Sequence, residues 1–83
     1  MIARVYVGLK PGVLDPQGRT IAASLNDLGF GEVTDAKQGK VIELSLTGDD
    51  PEAAESRVRE MCEKLLANTV IESYRIEIDH ESA

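Results

Sequence analysis

Cysteine and histidine are scarce in this sequence, and their scarcity excludes several kinds of chemistry. The 83 residues include one cysteine, Cys62, and one histidine, His80. A lone cysteine forms neither an internal disulfide nor a CxxC pair, which argues against structural zinc and copper-chaperone sites. A catalytic base must be held rigidly against its nucleophile, whereas His80 opens a tail, 80–83, that we expect to be frayed. We therefore interpret His80 as solvated and Cys62 as a small apolar side chain of the core.

Long apolar runs, phosphate-binding glycine motifs and excess positive charge are also missing. No apolar run approaches the roughly 20 residues that span a bilayer. Neither GxGxxG nor GxxxxGKS/T occurs, and a net charge of −6 repels nucleic-acid phosphates and anionic lipids. Tyr6 is the only aromatic side chain that the first strand offers to RNA bases. We expect no nucleic-acid or membrane partner, and the absence of a signal-peptide pattern predicts the cytoplasm.

The first half of the chain predicts a strand followed by a helix. Residues 3–9 alternate apolar and polar side chains, the period of a strand buried on one face. Asp15-Pro16 predicts the helix start, because aspartate is a good N-cap and proline suits the first helical position. Gly29 is expected to end this helix in the left-handed conformation. The apolar stripe of the helix consists of Ile21, Leu25 and Leu28.

The second half predicts two strands, a helix and a final strand. Residues 32–38 are mostly polar, as in an edge strand, and residues 42–46 alternate like a half-buried one. A second acidic cap before proline, Asp50-Pro51, starts the second helix, for which Asn68 is the expected left-handed cap. Residues 74–79 alternate again and predict the last strand. The inner stripe of the second helix is Ala54, Val58, Met61 and Leu65, widened by Cys62 and Leu66.

The order β-α-β-β-α-β predicts a single domain, 1–83, of the α+β class with a ferredoxin-like arrangement. Both helices are expected on one face of a four-stranded antiparallel sheet. The other face is mixed and suits a partner; it carries Arg4, Tyr6, Glu43 and Ser45. A chain of this size buries only roughly 60–65% of its unfolded surface. We therefore predict a homodimer, with a tetramer as its extension.

The carboxylates do not predict a catalytic or metal site. Glutamates on the polar face of the second helix can pair with Arg57 and Arg59 at helical spacing, as on a solvated face. No clustered ligand set is visible. We assign no catalytic, cofactor-binding or metal-binding residue to this chain.

The loop after the first strand is the best candidate for a partner contact. Val13 and Leu14 are adjacent apolar residues between two prolines, so one can staple the helix start while the other anchors a partner. Gly18 lies in the first helical turn, where either a close backbone approach to a partner or packing at the helix end explains it. The candidate interface residues are Lys10, Pro11, Gly12, Val13, Leu14, Asp15, Pro16 and Gly18.

Residues 9–18, LKPGVLDPQG, strongly resemble the signature loop of the PurS family, the small subunit of phosphoribosylformylglycinamidine synthase. Further matches follow in order at residues 28–30, 39–44 and 61–72, so that the resemblance spans nearly the whole chain. Thr69 departs from the pattern, because the family usually has proline there.

The resemblance implies a role in assembly within de novo purine biosynthesis. The complex uses ATP and glutamine to convert formylglycinamide ribonucleotide into formylglycinamidine ribonucleotide. A PurL-type synthetase subunit is expected to hold ATP and magnesium, and a PurQ-type glutaminase subunit to release ammonia. The small subunit is expected to be a homodimer that bridges them, supports ammonia transfer and carries no cofactor of its own.

Two other interpretations remain open from the residues alone. Ferredoxin-like domains also serve as small-molecule-binding regulatory modules, and fold does not determine function. Ligand-dependent melting of the isolated chain would favour such a module. A stand-alone enzyme is disfavoured by the missing catalytic constellation.

Overall fold

The computed structural model describes residues 1–80; the rest of the tail expected to be frayed, 81–83, lies outside the described residues. Strand β1 spans Ile2–Leu9, helix α1 Pro16–Asp27, strand β2 Lys40–Ser45, helix α2 Pro51–Met61 and strand β3 Glu72–Asp79. A single turn of π-helix, Cys62–Leu66, continues α2 and is called the π-turn below. No helix in residues 1–80 is long and apolar enough to cross a membrane.

Strand β1 lies at the centre of an antiparallel sheet with the order β2-β1-β3. The predicted alternation is confirmed, because Ala3, Val5 and Val7 are buried on one face. On the other face Arg4 lies opposite Glu43 of β2 and Glu77 of β3. The central strand thus separates an apolar inner face from a charged outer face.

The core forms between the inner face of the sheet and α2 with its π-turn. Val58 and Cys62 are fully buried and Ala67 is nearly so, against the buried residues of β1. Within the described residues α2 packs mainly over β3 and β1, and the inner face of β2, formed by Ile42, Leu44 and the following Leu46, is only half-buried.

The predicted inner stripe of α2 is wrong at Leu65, whose surface is 84% exposed. An α-helix would return position 65 to the face of Val58 and Met61. The π-turn begins at Cys62 and adds a residue to that turn, which rotates the following side chains. Leu65 therefore points away from the core while Cys62 and Leu66 stay turned toward it.

The expected edge strand at residues 32–38 is absent, so that one copy has three strands in place of the predicted four. Several backbone groups of this stretch bond to side chains instead of to a neighbouring strand. The carbonyl of Val33 accepts from Asn26 Nδ2 at 2.9 Å, and the amide of Ala36 donates to Asp35 Oδ1 at 2.9 Å. The amide of Gln38 donates to Asp15 Oδ2 at 2.8 Å. A single copy consequently does not complete the ferredoxin-like arrangement.

The expectation that both helices cover the sheet is wrong for α1. Its start at Asp15 and its end at Gly29, where φ is +102°, are as predicted. The helix nevertheless lies away from the sheet, in a molecule measuring 48 × 28 × 14 Å. Ile21 is 42% exposed and Leu28 73% exposed. We call residues 16–38 the arm; within the described chain the apolar stripe of α1 is only partly covered, with Leu25 half-buried and Ile21 and Leu28 exposed.

Candidate functional site

The loop at residues 10–15 is tied to the turn that precedes β3. The amide of Lys10 donates to the carbonyl of Ile71 at 2.8 Å. The ammonium of Lys10 donates to the carbonyl of Thr69 at 2.7 Å. Gly12 has a φ of +87°, which a residue with a side chain adopts only with strain. The loop therefore leaves the central strand with a fixed shape at one end of the sheet.

Asp15 joins this loop to both ends of the arm. Its Oδ1 accepts from the amide of Gly18 at 2.9 Å, which is the predicted N-cap. Its Oδ2 accepts from the amide of Gln38 at 2.8 Å. The bond from Gln38 and then that from Gly18 hold the pKa of the Asp15 carboxyl below its ordinary value of 3.8. The sequence motif predicted the cap, but it gave no signal for the bond across the arm.

Gly18 is buried, and a residue without a side chain is needed here because the backbone of a later segment passes close beside it. A Cβ there would collide with the carbonyl oxygen of Ala36 and would lie 2.8 Å from Asp15 Oδ2. Of the two explanations that the sequence left open, packing at the helix end is the one observed. The approaching segment belongs to this chain.

Val13 and Leu14 differ in exposure, as expected if they have different roles. Val13 is half-buried, whereas Leu14 is 74% exposed. Both line a shallow concavity with Gly12, Arg19 and residues 35–37. Leu14 is therefore the apolar side chain of this loop that is available to another protein. The loop brings the candidate interface residues together at the end of the sheet from which the arm projects.

Known proteins resemble the chain along almost its whole length. The family model described as PurS: Phosphoribosylformylglycinamidine (FGAM) synthase matches residues 2–80. The chain belongs to the PurS family. A phosphoribosylformylglycinamidine synthase subunit PurS from Bacillus subtilis is 49% identical over 76 residues, covering 92% of this chain and 89% of the relative.

Solved structures of PurS-family proteins agree with the fold. PurS from Methanocaldococcus jannaschii, described as a subunit of formylglycinamide ribonucleotide amidotransferase in the purine biosynthetic pathway, is 44% identical with a TM-score of 0.85; the match covers 94% of each chain. A chain of PurLQS from Thermotoga maritima is 30% identical with a TM-score of 0.80, covering 93% of this chain and 96% of that one. The likeness therefore includes a PurS structure and a chain of a PurS-containing assembly.

In this PurS-family chain Asn68 stabilises the turn that precedes β3 and contains Thr69. Asn68 Oδ1 accepts from the amide of Val70 at 3.2 Å, and its carbonyl accepts from the amides of Ile71 and Glu72. The predicted left-handed cap at Asn68 is wrong, because within residues 1–80 only glycines have positive φ. The side chain of Asn68 supplies the local constraint that proline would give.

The outer face of the sheet carries ion pairs and a cation–π contact. Arg4 lies 3.2 Å from Glu43 and 3.7 Å from Asp79. The Arg75 guanidinium lies 4.2 Å from the centre of the Tyr6 ring. Because its charges pair with one another, this PurS-family sheet presents a polar surface with little uncompensated charge.

The remaining candidates for chemistry are not brought together. Cys62 is fully buried, and burial, followed by the charge of Glu63, raises the pKa of its thiol. His80 is exposed near the end of β3. No group of three or more His, Cys, Asp or Glu within residues 1–80 has the geometry to hold a metal ion.

Proposed function

We propose that this chain is the small assembly subunit of phosphoribosylformylglycinamidine synthase in purine biosynthesis and carries out no chemistry alone. The observation that carries the proposal is the family match over residues 2–80, together with the likeness to a chain of PurLQS from Thermotoga maritima. The glutamine-hydrolysing and ATP-dependent steps are assigned to the partner subunits. We place ATP and magnesium in the synthetase and locate the complex in the cytoplasm, where a lone reduced thiol such as that of Cys62 is stable.

A reconstitution assay with two nitrogen donors tests this role. The isolated chain is expected neither to hydrolyse glutamine nor to consume ATP. Added to the synthetase and glutaminase subunits, it should be required for glutamine-dependent synthesis. Ammonium supplied directly should partly bypass it, because the synthetase then lacks only delivered ammonia. Full glutamine-dependent activity without this chain would contradict the proposed role.

Within the complex we propose that the loop at residues 10–18 contacts a partner subunit, with Leu14 as its apolar anchor. The support is its 74% exposure on a loop held in place by Lys10 and Asp15. Apolar anchors in a buried interface contribute much of the binding energy. In the reconstitution, Leu14→Asp should weaken co-elution of the three chains. Val70→Asp, with a similar exposure of 81% but in the turn before β3, is the matched control.

We further propose that two copies of the chain exchange their arms. The arm has an apolar stripe that is only partly covered, and the apolar inner face of β2 is only half-buried. Leu46, Ala54 and Met61 line a groove between the end of β2 and α2, which we call the β2 groove. The apolar stripe on α1 and the β2 groove are complementary surfaces. In a two-fold dimer, the stripe of each copy would lie in the groove of the other, so that both stripes and both grooves are covered.

The same exchange would supply the fourth strand of the ferredoxin-like arrangement. Strand β2 is at an edge of the sheet, so one side of its backbone has no strand partner within residues 1–80. Residues 32–38 of a second copy, whose polar character suits an edge strand, could pair there when its α1 lies over the sheet. Each half of the dimer would then have four strands and two helices, built from both copies.

A further inference from the structure

The two helices of this chain begin with the same Asp-Pro pair, but the two aspartates make different contacts. Asp50 Oδ1 accepts from the amides of Glu52 and Ala53, both in its own helix, at 3.1 and 3.4 Å. Asp15 uses only Oδ1 for its own helix. Its Oδ2 accepts from Gln38, 23 residues further along the chain and just before β2. Asp15 therefore does more than cap a helix.

Two glycines bring the end of the arm close enough for this contact. Gly18 leaves room for the carbonyl of Ala36 beside the first turn of α1. On the other side of the same segment, a Cβ at Gly39 would lie 2.6 Å from the carbonyl oxygen of Val7 in β1. Residues 36–39 thus lie between the start of α1 and the central strand, and the Asp15–Gln38 bond lies between these two contacts.

We propose that Asp15 is the positioning residue of the arm. Its second carboxylate oxygen joins the point where the chain enters the arm to the point where it leaves, and this fixes the direction in which α1 projects from the sheet. The inference rests on the proposed exchange of arms between two copies. Without that bond α1 is free to take other directions, so fewer copies hold it where it can meet the groove of a second copy.

Replacing Asp15 by serine separates the helix cap from the Asp15–Gln38 hydrogen bond, which we call the clasp. Serine caps helices about as well as aspartate, but one short hydroxyl replaces two carboxylate oxygens and leaves Gln38 without its acceptor. In Asp15→Ser we expect faster hydrogen exchange at the Gln38 amide, unchanged protection at Gly18, and a dimer dissociation constant raised about tenfold or more, because a hydrogen bond to a charged group is lost. Asp50→Ser is the matched control and should change neither the exchange at Gln38 nor the dissociation constant.

The readouts are sedimentation of the full chain over a concentration series and amide exchange followed by nuclear magnetic resonance. A wild-type chain that stays monomeric would contradict the proposed exchange of arms between copies. In that case the rate of amide hydrogen exchange at Gln38 would decide alone whether Asp15 holds the arm. A wild-type dimer whose dissociation constant is unchanged in Asp15→Ser would overturn the positioning role. If Asp15→Ser does not fold, Gly18→Ala replaces it, since its methyl group displaces both the carbonyl of Ala36 and the Oδ2 of Asp15 that accepts from Gln38; Gly31→Ala, with open space around its Cβ, is the control.

Discussion

At the scale of single residues, the Asp15 carboxylate should give the clasp a measurable dependence on pH. Amide bonds from Gln38 and Gly18 favour its charged form, with a smaller contribution from the charge of Lys37, and so lower its pKa. A carboxyl whose pKa is lowered by folding stabilises the folded state at pH values above its pKa in the unfolded chain. This contribution is lost as the pH falls through its pKa in the folded chain. The amide proton shifts of Gly18 and Gln38 should therefore titrate together with a midpoint below 3.8. Separate midpoints, or one above that value, would contradict the shared carboxylate.

The buried thiol of Cys62 gives a second prediction at this scale. Cys62→Ala removes one sulfur atom from a fully buried site, so the free energy of unfolding should fall by about 1 kcal/mol. Cys62→Ser keeps the size but buries a hydroxyl group, and it should cost more, about 1–3 kcal/mol, if that group finds no partner. Chemical denaturation measures both values. Glutamine-dependent synthesis should survive in Cys62→Ala, and its loss from a folded, assembled variant would indicate a functional thiol.

At the scale of elements, the π-turn separates two side chains that the sequence places on one stripe. Val58 is fully buried, so Val58→Ala should lower the free energy of unfolding by about 2 kcal/mol for two lost methyl groups and the space that they leave. Leu65→Ala removes a larger group, but at 84% exposure the change should stay within about 0.5 kcal/mol. Equal losses in denaturant melts of the two variants would mean that α2 continues as a regular α-helix.

The periodicity of apolar residues predicted the helices and strands better than it predicted how these elements pack together. Alternation along residues 3–9 identified β1 because the central strand buries every second side chain, and Asp15-Pro16 with Gly29 bounded α1 because caps are local. Leu65 was misplaced because nothing in the sequence marks the change from α-helix to π-turn. The stripe on α1 correctly indicated an apolar face, but a stripe does not specify which surface covers it.

The candidate site was predictable to a similar extent. The run at residues 9–18 identified the loop and its family, and its two adjacent apolar residues suggested an anchor. The contact of Asp15 with Gln38 and the approach of Ala36 to Gly18 join positions far apart in the chain, and no local pattern encodes them. Residues 32–38 do not form the predicted strand for a similar reason. Their backbone groups bond to side chains elsewhere in the chain, and these contacts leave no local sequence pattern.

At the scale of the whole molecule, the elongated shape follows from an arm that leaves its own sheet half uncovered. A chain this short has little core to lose, so a partly covered stripe and a half-buried groove favour association with a second copy. If each arm docks in the groove of the other copy, a dimer contains two equivalent junctions, each built from one arm and one groove. Damage to the arm and damage to the groove should then complement each other when they are in different copies.

This complementation is the sharpest test of the exchange. One variant carries Ile21→Asp and Leu28→Asp on the arm, and the other carries Leu46→Asp in the β2 groove; each alone should sediment as a folded monomer. Mixed in equal amounts, they should form dimers of intermediate affinity, because the intact arm of one copy meets the intact groove of the other at one junction of the two. Val41→Asp, on the outer face of the same strand and 58% exposed, is the control and should dimerise like the wild type. Sedimentation of the separate and mixed variants measures the effect, with circular dichroism to establish folding. Dimers formed by the arm variant alone, or folded variants that stay monomeric when mixed, would show that the copies do not exchange their arms.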